Sequence, residues 1–203
     1  NKADGYMTVT YHGNNPKAKL QIKYVPDEET VYTYNLQAGQ SDVFLFSRGD
    51  GEYQITVNEN IEGNRYSQAF AGTCQVALKD QLTPFLYPNQ YVKFTEDSQA
   101  VGESQKLVQS AGDDLEAIAA IYNYVIGNIQ YDFDKAASVQ SGYLPDIDET
   151  LNTKKGICFD YAALMTAMLR VQRIPTKLVV GYAGELYHAW ISVYLDGVGW
   201  IDN

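Results

Sequence analysis

Along the first ninety residues, apolar and polar positions alternate with a period of two. Tyr6–Tyr11, Lys19–Tyr24 and Glu52–Val57 carry this pattern on β-branched and aromatic side chains, the composition of half-buried strands. Turn-forming clusters separate them: Gly13-Asn-Asn-Pro16, Ala38-Gly-Gln-Ser41, Gly49-Asp-Gly51 and Glu62-Gly-Asn64. Short strands at this spacing predict a small β-sandwich over residues 1–95. The period then changes. Residues 98–110 are polar and Gln-rich, with Val101, Leu107 and Val108 as the apolar side of one helix. Leu115, Ile118, Ala119, Tyr122, Val125, Ile126 and Ile129 recur at helical spacing over 113–129. Asp113 or Asp114 suits the start of that helix, both as a cap and as an anion at its positive end.

Residues 132–153 show no period, contain Gly142, Pro145 and several acids, and read as a long loop, a length more often functional than idle. A nearly continuous apolar run follows, Cys158–Leu169, which predicts a buried central helix. Ile174-Pro175 forbids its continuation. Strands resume at Lys177–Tyr182, at His188–Leu195 and after Gly199, with Asp196-Gly197 as the hairpin turn. The order predicts an α+β chain of two domains, 1–95 and 96–203.

Composition narrows the function classes. A chain of 203 residues, 45% hydrophobic and 20% charged, buries a core and is not globally disordered. Seventeen tyrosines against seven Phe suit a β-rich surface that keeps hydroxyls wet. Twenty-five acids against 15 bases, a net charge of -10, argue against a nucleic-acid partner and against anionic membranes. No run approaches the ~18 apolar residues of a membrane span. A beginning at Asn-Lys-Ala-Asp without Met looks processed or trimmed. Two cysteines, Cys74 and Cys158, make no disulfide scaffold and do not choose between cytosol and cell surface, and with two His a zinc site would need all four from distant places. No P-loop, CxxC, HExxH or GxSxG motif is present.

Cys158 stands in Lys154-Lys-Gly-Ile-Cys158, at the first turn of the predicted buried helix. Roughly half a positive charge and unpaired N–H groups at a helix start favour a thiolate. Gly156 removes a side chain where a substrate backbone would approach. The bland alternative is a buried small hydrophobe, the usual fate of a free cysteine. His188 opens a strand thirty residues later, from which an imidazole can face a helix N-terminus; alone it would pass for a structural histidine. His12, in Tyr11-His-Gly, reads as a turn residue.

Three segments carry a resemblance. Lys155-Gly-Ile-Cys-Phe-Asp-Tyr-Ala-Ala-Leu-Met-Thr-Ala-Met-Leu-Arg170, Arg173-Ile-Pro-Thr-Lys-Leu-Val-Val-Gly-Tyr182 and Tyr187-His-Ala-Trp-Ile-Ser-Val-Tyr194 follow one another in an order that resembles the transglutaminase-like superfamily of bacterial secreted proteins. The likeness covers roughly residues 96–203, and the helix ending in Asn128-Ile-Gln-Tyr-Asp132 fits it. It implies a papain-like core with a central helix packed on an antiparallel sheet. Cys158 would be the nucleophile, His188 its base, and Tyr131 an oxyanion-hole donor beside the Cys158 N–H. The implied chemistry is acyl transfer through a thioester, with hydrolysis of protein or peptide amides favoured over cross-linking because a water-open cleft is the simpler arrangement. It implies no cofactor, substrates that include cell-wall peptide, and an extracellular or bacterial-surface location. The alternative is a surface module that binds protein or wall polymer without catalysis.

The third member of a triad is less direct. Asp202 follows His188 by fourteen residues on the next strand. With a two-residue Asp196-Gly197 turn, Asp202 faces Ile191, on the opposite side of the sheet from His188. The family places its acid four residues after a tryptophan, whereas Trp200 and Asp202 are two apart. The acid is then Asp202 through an irregular turn, or a residue beyond Asn203. Arg48-Gly49-Asp50 reads as a hairpin turn rather than an adhesion signal. Asp146, Asp148 and Glu149 read as a solvated acidic loop rather than a Ca²⁺ loop.

Overall fold

The alternation of the N-terminal part becomes six strands: β1 (Tyr6–Thr10), β2 (Ala18–Tyr24), β3 (Val31–Leu36), β4 (Ser41–Leu45), β5 (Gly51–Glu62) and β6 (Arg65–Val76). The computed structural model describes residues 1–27 and 29–202. Strands β3-β2-β5-β6 form one antiparallel sheet and β1 pairs with β4 in another. Leu20, Ile22 and Tyr53 from the first and Phe44 from the second share one core, where the Tyr34 and Phe44 rings lie 4.9 Å apart. The sandwich is therefore present, with sheets of unequal size. Strand β6 is mostly polar and exposed, which is why its sequence carries little alternation. The Arg48-Gly49-Asp50 turn is structural: the Tyr53 hydroxyl donates to the Gly49 carbonyl at 2.9 Å, and Asp50 accepts from the Leu78 N–H at 2.7 Å.

A second unit begins at Phe85, the first ending at Pro84. Residues 85–95, grouped above with the first domain, pack with the second. Val92 is fully buried in the second core, and Phe85 meets Trp200 edge-on at 5.1 Å. Asn203 lies outside the described residues. The elements of this unit are α1 (Gln99–Leu107), α2 (Asp114–Asn128), β7 (Gln130–Tyr131), α3 (Phe133–Ser138), α4 (Ile147–Thr153), β8 (Lys155–Gly156), α5 (Cys158–Val171), β9 (Thr176–Ala183), β10 (Leu186–Leu195) and β11 (Gly199–Asp202).

Helix α5 is the apolar run of the sequence, and it is buried as its composition requires. It packs against α1, α2 and α4 and against β9 and β10 of the antiparallel sheet β11-β10-β9. Ala163, Leu164, Met168 and Leu169 are inaccessible to solvent or nearly so. A buried Leu or Met contributes about 1.5–3 kcal/mol. Arg170 is also buried and donates Nε and Nη2 to the Thr176 carbonyl at 3.0 and 2.7 Å, tying the helix end to the start of β9.

The predicted loop 132–153 contains two short helices, α3 and α4. Each is started by an aspartate: Asp132 accepts from the Lys135 N–H, and Asp146 from the N–H groups of Asp148 and Glu149. Helices of six or seven residues are too short to show a period, so only the caps were legible. Asp148 reaches another helix start, accepting from the Gln99 and Ala100 N–H groups of α1 at 3.1 and 3.0 Å. Asp148→Ala should lower stability by about 1–2 kcal/mol in denaturant unfolding. Glu149→Ala, at an exposed position, should stay within about 0.5 kcal/mol of the parent.

Candidate active site

Cys158 is the first residue of α5 and is half-buried. The short parallel pairing of β7 with β8 places Tyr131 opposite Gly156, two residues before the thiol. Two backbone bonds hold that register: Gln130 N–H to the Lys154 carbonyl at 2.8 Å and Asp132 N–H to the Gly156 carbonyl at 2.9 Å. Tyr131 thereby meets Cys158. Burial raises the Tyr131 pKa and the Cys158 sulfur raises it further, while the Cys158 backbone lowers it, as an N–H turned toward the phenol oxygen would. The two groups that the resemblance assigns to an oxyanion hole thus face one another beside the sulfur. Tyr131 remains 43% exposed, open to a substrate.

The start of α5 is closed by Asp160, a carboxylate with no solvent exposure. Its Oδ2 accepts from the Ile157 N–H at 2.8 Å and pairs with Lys135 Nζ at 2.8 Å; its Oδ1 accepts from the Tyr143 hydroxyl at 2.5 Å. Burial works against the Lys135 charge, but Asp160 and Tyr143 outweigh it and its pKa is raised; burial and Asp160 push Tyr143 up to about 12. Gly156 has a different reason from the one expected. A Cβ there would stand 2.7 Å from the Asp160 Cβ, so the glycine makes room for the carboxylate. Sequence reasoning missed this cluster. The signal for Asp160 was its place three residues after the N-cap, where a capping-box acid sits; Lys135 and Tyr143 carried none.

His188 lies on β10 opposite Gly181 and is exposed. Ala189, Ile191 and Val193 turn into the core that contains α5, so His188 shares the other face of β10 with Trp190, its ring stacked on the indole at 6.5 Å. Among the described residues Cys158 and His188 are not hydrogen-bonded to each other. Their neighbours do converge: Tyr187 lies close enough to Tyr91 to raise its pKa, after burial, and the Tyr91 and Phe159 rings are 5.6 Å apart.

For Asp202 the hairpin reading is corrected. The turn has three residues, Asp196–Val198, because Leu195 pairs with Gly199, with Gly197 at φ 77° and Gly199 at φ 99°. Asp202 consequently faces Ser192, not Ile191, and stands on the His188 side of the sheet. It is still not level with His188, since four residues of strand separate Ser192 from it, about 13 Å. Asp202 instead acts on Lys177, whose pKa burial lowers and Asp202 raises, and whose Nζ stands 3.6 Å over the Trp200 ring.

A buried helix bearing a cysteine at its start, packed on an antiparallel sheet with a histidine strand, is the core of a papain-like thiol fold. Residues 103–202 match the family model of the transglutaminase-like superfamily, and this part of the chain belongs to it. It is similar to the mouse kyphoscoliosis peptidase, 34% identical over 103 residues, which is 45% of this chain and 15% of that protein. It is also similar to the UPF0252 protein MJ1282 of Methanocaldococcus jannaschii, 37% identical over 98 residues, 42% of this chain and 28% of that protein. The chain thus spans less than a third of these curated relatives. A crystal structure from Cytophaga hutchinsonii, described provisionally as a cysteine protease, shares the fold with a TM-score of 0.51 at 16% identity, over 98% of this chain and 70% of that one.

With Asp202 beyond the ~8–10 Å screening length from His188, Asp202→Ala should leave the alkylation rate of Cys158 within about twofold of the parent. A tenfold loss would show that Asp202 acts on the site.

Proposed function

We propose that this chain performs cysteine-dependent acyl transfer on protein or peptide amides, with water as the favoured acceptor. The observation that carries the reading is Cys158 at the start of a buried helix with the Tyr131 phenol beside its backbone N–H. A helix start stabilises a thiolate, and an N–H with a phenol O–H can receive the oxygen of a carbonyl under attack. In this reading His188 takes the proton of the Cys158 thiol, the sulfur adds to the amide carbon, and the tetrahedral oxyanion is held by the Cys158 N–H and Tyr131. The amine leaves with the proton from His188, a thioester remains, and water attacks it to release the acid. An acceptor Lys amine in place of water would give a cross-link by the same first half-reaction.

A second reading is favoured by the lack of a hydrogen bond between His188 and Cys158 among the described residues and by the place of Asp202. In it the transglutaminase-like unit binds protein or wall polymer at the cell surface and does not turn over. Thiol chemistry separates the two. Cys74 lies in a strand, and burial pushes its thiol up; Cys158 has the helix start. Iodoacetamide at pH 6 should therefore modify Cys158 at least about tenfold faster than Cys74, followed by peptide mass mapping. Equal rates would favour the binding module. On a peptide amide that the parent hydrolyses, Cys158→Ala should abolish turnover and His188→Ala should lower kcat by about 10³-fold or more.

A further inference from the structure

Apart from the thiol and its partners, the most constrained group of titratable side chains is Lys135, Tyr143 and Asp160. Resting on the reading of Cys158 as the nucleophile, we propose that Lys135 is a positioning residue of the active site, which neutralises the buried Asp160 carboxylate so that the start of α5 keeps its attraction for a thiolate. The geometry supplies the reason. A carboxylate is the natural N3 partner for a helix whose first N–H groups are buried, and Asp160 fills that role through the Ile157 N–H. It also places a full negative charge, itself inaccessible to solvent, two residues from the sulfur, where it opposes thiolate formation. The same Oδ2 that accepts from Ile157 is paired with Lys135 Nζ at 2.8 Å. That single contact cancels the charge and leaves the cap in place. Tyr143 donates to the other oxygen and accepts from Lys135 Nζ at 2.6 Å, completing a ring of contacts without changing the net charge.

Lys135 is held for this purpose rather than free on the surface. Its backbone N–H is capped by Asp132 at 2.9 Å, directly after the Tyr131 strand, so one short segment delivers both the phenol and the ammonium. Its side chain lies over the Tyr143 ring at 4.5 Å. The titratable groups around this helix start are Tyr131 from β7, Asp132 as the cap of α3, Lys135 from α3, Tyr143 from the segment between α3 and α4, and Asp160 and Tyr161 from α5 itself. Of these, Lys135 and Asp160 are the oppositely charged pair in direct contact.

The test is a double-mutant cycle on thiol alkylation at pH 6, read at Cys158 by peptide mass mapping, with circular dichroism to establish folding. Lys135→Met leaves Asp160 unbalanced and should slow alkylation about three- to tenfold. Asp160→Asn keeps the acceptor for Ile157, leaves Lys135 unbalanced and should speed it by a similar factor. The double variant restores the balance and should return to within about twofold of the parent, as should Tyr143→Phe, which removes a hydrogen bond but no charge. Shifts of the same sign in the two single variants, or no shift in Lys135→Met, would overturn the proposal. Lys135 is partly exposed, so Lys135→Met decides the sign even if Asp160→Asn fails to fold. Slow alkylation of the parent itself would count against the nucleophile reading, while the ratios between variants would still report on the charge balance.

Discussion

A helix buried on nearly every side has to finish its hydrogen bonding inside the protein, and that constraint shapes the second unit. Helix α5 is surrounded by α1, α2, α4 and the β9–β10 sheet, and the N–H of its buried N-cap, Ile157, needs a partner within the protein. Asp160 accepts one of them, and accepting it means burying a charge. A buried carboxylate without a partner costs several kcal/mol; Lys135 and Tyr143 remove that cost, and both come from the segment between Tyr131 and α4. The need to close one helix start therefore draws a distant stretch of chain onto Asp160. Gly156 belongs to the same constraint, because a side chain there would displace the carboxylate.

The arrangement gives the sulfur a particular setting. Its helix contributes the field of aligned peptide dipoles, the β7–β8 pairing holds a phenol within reach, and the sheet carries an imidazole on an exposed strand end. The parts of the site are held in different ways. Cys158 and Tyr131 are held by backbone pairing and by the core, whereas His188 is held by a stacking contact with Trp190 at the most exposed end of the hairpin.

Much of this was legible in the residues. The nearly continuous apolar run Cys158–Leu169 specified a buried helix, the spacing of Leu115 to Ile129 specified α2, and the two-period runs specified β1, β2 and β5. The family motifs picked out Cys158 and His188 because they sit on these strongly patterned elements. What was not legible has physical causes. Helices α3 and α4 are shorter than two turns, so they had caps but no period. The turn after Leu195 depended on whether Gly197 alone, or Gly197 with Gly199, takes a positive φ, and one added residue reverses which side Asp202 faces. The partnership of Asp160 with Lys135 joins positions 25 residues apart in the chain, which no local pattern encodes.

The central claim is that Cys158 carries an acyl group during turnover. Rapid mixing with an activated peptide ester, an acid quench and peptide mass mapping would read this directly. The account predicts one acyl adduct on Cys158, cleaved by hydroxylamine as a thioester is, formed slowly in His188→Ala and absent in Cys158→Ala. Release of product with the acyl group on another residue, or with no adduct and undiminished rate in Cys158→Ala, would contradict it.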